Sequence, residues 1–112
     1  MILTGILIAL AIAGLAYIFV KVTISFIKKF KKKKSSQIVI ANMKDMIKNI
    51  PDKEKRTYSF EELEKIEDEV VIAEYDEYSD ELVQAEFVGD EGMDSNLENT
   101  LKSNGGIIVI ED

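Results

Sequence analysis

The sequence contains no cysteine and no histidine. Their absence excludes disulfides, thiolate nucleophiles, imidazole general bases and the usual zinc ligand sets. It also lacks a glycine-rich phosphate loop, a nucleophile elbow and a metalloprotease helix. Asp90, Glu91, Asp94, Asn96 and Glu98 miss the calcium-loop pattern, because Gly92 stands where the third-position ligand belongs. Carboxylates are so plentiful that acid–base pairs can be chosen almost anywhere, and none stands out. The expectation is a protein that is not an enzyme, with no catalytic residues, no metal and no cofactor. Basic residues are missing from Met1 to Leu3, where a signal peptide would carry them.

What is present is an uninterrupted apolar run from Ile2 to Val20, in which Thr4 and Tyr17 are the only polar side chains. A helix of that length reaches roughly 30 Å, the thickness of a bilayer core. The run therefore predicts a transmembrane helix over residues 1–27, with Val22 to Ile27 continuing it by tilt or into the interface. Gly5, Ala9, Ala13 and Ala16 place small residues along one stripe, a pattern that lets membrane helices pack closely.

Charge is strongly zoned. Lys21, Lys28, Lys29, Lys31, Lys32, Lys33 and Lys34 are half of the 14 basic residues, and no acidic residue precedes Ser35. All 21 acidic residues follow. The lysines read as a basic juxtamembrane collar over 28–36 that touches an anionic leaflet and, by the positive-inside rule, holds the C-terminal part in the cytoplasm with the N-terminus outside. Adjacency to a span and the lack of arginine and interleaved aromatics argue against nucleic acid.

Beyond the collar, Val39, Ile40, Met43, Met46, Ile47 and Ile50 fall on one side of a helical wheel, which predicts an amphipathic helix over 37–50 stopped by Pro51. This stripe is a candidate interface with a partner or with the rest of the protein. Residues 51–58 read as a linker. From 59 to 112 the pattern predicts a small acidic α+β domain in the order helix, strand, strand, helix, strand. Ser59 with Glu62, and Ser95 with Glu98, have capping-box spacing. Val70 to Tyr75 and Leu82 to Val88 suggest a hairpin, with one long helix over 70–88 as the alternative. Ile107, Ile108, Val109 and Ile110 suggest an edge strand. With Glu111 and Asp112 this segment resembles a SUMO-interacting motif, which implies addition of the strand to a partner's sheet.

The sequence thus predicts a single transmembrane α-helix followed by a small α+β cytoplasmic domain. The expected function is that of a membrane-anchored adaptor or regulatory protein that presents its acidic domain to a protein partner or to itself. A membrane-active, holin- or toxin-like protein and an accessory subunit of a larger membrane complex are the alternatives.

Overall fold

The structure is a computed structural model that describes residues 2–14 and 17–110. Its elements are α1 (Ile2–Ala13), β1 (Phe19–Val22), α2 (Ile24–Phe30), β2 (Gln37–Asn42), α3 (Met43–Asn49), α4 (Asp52–Lys55), α5 (Phe60–Ile66), β3 (Val70–Asp76), β4 (Glu81–Met93), α6 (Ser95–Ser103) and β5 (Ile107–Ile110). The strands form one five-stranded sheet in the order β1-β4-β3-β2-β5. β1 runs parallel to β4, and the other pairs are antiparallel. Its radius of gyration, 13.3 Å, is that of a close-packed chain of this length.

The transmembrane reading is overturned. α1 is 12 residues long, so it rises only about 18 Å, well short of a bilayer core. Gly14, at φ 71°, follows it in the left-handed region, and the chain then returns to the sheet as β1. Among the described residues no helix is long and apolar enough to cross a membrane. The single-pass topology, the outside N-terminus and the membrane localisation built on the span fall with it. The apolar run has a different use: Leu7, Ile8 and Ala11 of α1 are buried against the protein. An apolar side chain leaves water equally well for lipid or for a core, so hydrophobicity alone does not separate the two fates.

Residues 37–50 are corrected as well. Ile38 to Ala41 form a strand buried on both faces. Such a strand reads as a continuous apolar run, not as an alternation. Asn42 then ends β2 and caps α3, its side-chain carbonyl accepting a hydrogen bond from the Lys44 amide at 3.0 Å. The stretch 51–58 contains the short helix α4, and Tyr58 donates a hydrogen bond to the Gly5 carbonyl at 3.1 Å. From Ser59 the elements run α5, β3, β4, α6, β5. Residues 70–88 hold two antiparallel strands, so the single-helix alternative is excluded.

The sheet divides two apolar layers. On one face Val39, Ala41, Val71, Ala73, Tyr75 and Phe87 meet α1, α3 and α5 through Leu7, Ile8, Met43, Met46 and Ile66. On the other, Ile38, Ile40, Ile72 and Ile108 meet α2 and α6 through Ile27, Phe30 and Leu101. The period-2 alternation of β2 and β3 feeds both layers from the same strands, successive residues going to opposite faces. At the α6–β5 turn, Gly106 adopts φ 87° and is buried, where a Cβ would collide with the Asp45 side chain.

Candidate functional site

β3 carries an acidic end in an otherwise apolar strand. Glu74 shares the face of Ile72 and is completely buried, and Asp76, two residues on, is nearly so. An ionised carboxylate in that position requires several donors. They come from the segment between α2 and β2. The Lys32 and Lys33 amides donate to Glu74 Oε2 at 2.9 and 2.8 Å, and the Ser36 hydroxyl donates to the same oxygen. Gln84 Nε2, across the β3–β4 pair, donates to Glu74 Oε1 at 2.9 Å and also to the Phe30 carbonyl. Burial pushes the Glu74 pKa up, but the hydrogen bonds from Ser36, the Lys33 amide, Gln84 and the Lys32 amide outweigh it and hold the pKa below the usual carboxylate range.

Asp76 makes the second tether. Lys33 Nζ lies 2.9 Å from its Oδ2, the Ser35 hydroxyl donates to the same oxygen at 3.1 Å, and the Tyr78 amide donates to Oδ1 at 3.1 Å. The Lys33 hydrogen bond leads the causes that bring Asp76 down to about 2, and the same bond raises Lys33. Lys33 also reaches Glu81 at 3.5 Å.

The backbone of the lysine segment is therefore fixed by Glu74, and the Lys33 and Ser35 side chains by Asp76. Lys28, Lys31, Lys32, Lys33 and Lys34 line one open cavity of about 450 Å³, and among the described residues lysines alone form its lining. Lys28 and Lys29 occupy the last turn of α2, where positive charge suits the helix dipole. Lys21 lies apart from this cup, exposed on β1. Of the collar lysines, Lys33 lines this cup and also pairs with the buried Asp76.

The remaining sites expected from sequence fall elsewhere. Of the small-residue stripe, Gly5 is half-buried and accepts from Tyr58, Ala9 and Ala13 are exposed, and Ala16 lies outside the described residues. Val39, Ile40, Met43, Met46 and Ile50 are buried and Ile47 is half-buried, so the proposed interface stripe is spent on the core, with Val39 and Ile40 on opposite faces of the sheet. Ile107 to Ile110 do form an edge strand, paired on one side with β2. Glu111 and Asp112, the acidic flank of the motif-like segment, lie outside the described residues.

A second surface feature is the outer face of α5. Ser59 and Glu62 form a complete capping box at its start, each side chain bonding the other's backbone amide at 3.1 Å. Ile66 points into the core, whereas Phe60 is 80% exposed. Glu61 and Glu64 of the same helix and Glu67 and Asp68 just beyond it are exposed as well. At helical spacing Glu64 and Glu67 lie on the Phe60 side.

Glu74, Asp76, Ser36 and Gln84 escaped the sequence reading. Their signal was a lone carboxylate inside the apolar run Val70 to Tyr75. Among the described residues no buried side-chain nitrogen or oxygen lacks a hydrogen-bond partner, and no group of three or more carboxylates is placed to hold a metal ion. The two buried carboxylates have their acceptor capacity engaged, which suits them to fixing a loop.

Fold and site together define a small three-layer α+β domain with a lysine cup on one flank and an acidic, aromatic helix face on another. Comparison with protein-family models, curated proteins and solved structures finds no match to this chain.

Proposed function

We propose that this protein is a non-enzymatic adaptor or regulatory module that docks a protein partner with a basic surface through the outer face of α5. The observation that supports this reading is the exposure of Phe60 on a helix whose inner side is already committed to the core and which also exposes Glu61 and Glu64, with exposed Glu67 and Asp68 following it. Protein interfaces gain most of their affinity from a few buried aromatic anchors, while surrounding charges select the partner and speed encounter. A solvated phenylalanine on a helix that also exposes carboxylates has that composition.

The experiment is a cross-linked capture from extracts of the producing cells. It compares the full-length wild-type chain, Phe60→Ala and the triple variant Glu61→Gln/Glu64→Gln/Glu67→Gln across a salt series. The expected result is a basic protein held by the wild type, lost by Phe60→Ala, and released from the wild type as salt screens the contact. Identical retention by the wild type and Phe60→Ala overturns the reading.

A further inference from the structure

We infer that the lysine cup is a binding site for phosphate groups, separate from the α5 face and independent of the adaptor reading. Lys28, Lys31, Lys32, Lys33 and Lys34 converge on a cavity of about 450 Å³, a volume in the range of small-molecule sites. Among the described residues no carboxylate contributes to its lining, although the chain carries a net charge of −7. A concavity walled by one sign of charge focuses its field and concentrates counter-ions of the opposite sign.

Two further observations separate this cup from an ordinary run of surface lysines. First, its backbone is held from behind. The Lys32 and Lys33 amides and Ser36 are locked onto the buried carboxylate of Glu74, so a ligand meets a preorganised loop and loses less affinity to ordering it. Second, Lys33 pairs with Asp76 and Glu81. Lys28, Lys32 and Lys34 have no ion-pair partner among the described residues.

The ligand chemistry follows from the side chains. Lysine ammonium groups are compact charges with three donors each and bind phosphoryl oxygens without demanding the planar geometry of guanidinium. Several around one cavity suit an anion with more than one phosphoryl group, either a free phosphate compound or the headgroup of a phosphorylated lipid.

The test titrates full-length protein with inorganic pyrophosphate at low ionic strength, following heat and the amide resonances of Lys32 and Lys33. In parallel, phosphatidylcholine vesicles with and without phosphatidylinositol bisphosphate are floated with the protein. Lys32→Gln/Lys34→Gln removes two cup charges while leaving Lys33 and Glu74 in place. Lys44→Gln/Lys48→Gln removes two exposed charges from α3 as a matched control. The expected result is saturable binding that falls at least about tenfold in the cup variant, equivalent to about 1.4 kcal/mol, and stays within about twofold of wild type in the control. Saturable binding of pyrophosphate identifies free phosphates as a source. Binding confined to the bisphosphate vesicles, and lost in the cup variant, identifies the headgroup. Equal weakening in both double variants, or no saturable binding of either probe, overturns the inference.

Discussion

At the scale of single residues the most consequential side chain is Glu74, a fully buried carboxylate that ties a loop of lysines to the sheet. Replacing it with alanine leaves the Lys32 and Lys33 amides without their acceptor in a poorly hydrated site and takes one of two acceptors from Gln84. Unsatisfied buried donors cost about 1–3 kcal/mol each before relaxation, so Glu74→Ala should destabilise the protein by about 3 kcal/mol in urea unfolding. Glu74→Gln is nearly isosteric but brings its own donors towards those amides, and should fall between alanine and wild type. Asp76 makes the pH dependence specific. Its folded pKa of about 2 lies below its ordinary 3.8, so its contribution is complete above about pH 4 and is lost as pH falls towards 2. The lowered pKa of Glu74 acts with the same sign. Stability measured by urea melts should therefore decline on acidification through that window, and Asp76→Asn should make the decline shallower. Lys33 acts in the opposite sense: its raised pKa gives stability that is present at neutral pH and is lost only as pH climbs past the ordinary lysine range.

At the scale of elements, Gly14 offers a test whose sign discriminates between two structures. In a continuous helix, Gly→Ala stabilises by about 1 kcal/mol. At φ 71°, alanine is instead forced into the left-handed region at a cost of about 1 kcal/mol or more. Gly14→Ala should therefore lower the melting temperature, and a rise would contradict the break between α1 and β1. The capping box of α5 carries a plainer expectation: Ser59→Ala should cost about 1 kcal/mol. These two elements also mark what the sequence made legible. The box was readable because Ser59 and Glu62 interact within one turn, and local chemistry is written locally. The hairpin was readable because the run from Val70 to Tyr75 is rich in residues that prefer strands. The fate of Ile2 to Val20 was not, because an apolar run records that side chains leave water and omits what receives them. Residues 38–41 misled for a related reason. A strand buried on both faces has no polar side to set its period, and Val39 and Ile40 fitted a helical stripe by coincidence. The lysine cup was half legible. The cluster could be counted in the sequence, but the carboxylates that fix it lie some 40 residues away along the chain and come together only across the finished sheet.

At the scale of the whole molecule, the N-terminal third is part of the fold. α1 supplies Leu7, Ile8 and Ala11 to one apolar layer, while β1 and α2 supply Val22, Ile27 and Phe30 to the other. A fragment running from Ser35 to Asp112 would lose cover from both faces of the sheet at once and remove β1 from the exposed edge of β4. It would also strip the Lys32 and Lys33 amides from Glu74, leaving a carboxylate half-satisfied in a thinned core. A fragment of that size has little apolar area to spare, since small domains already bury a modest share of their surface. The expected outcome is a fragment without a cooperative thermal transition and with collapsed amide dispersion in its NMR spectrum, where the full chain shows both features. A fragment that melts cooperatively and gives a dispersed spectrum would place the first 34 residues outside the structural core. Because α5 and β3 to β5 all lie within the fragment, the same measurement separates a domain that carries its N-terminal segment as an appendage from one that is built upon it.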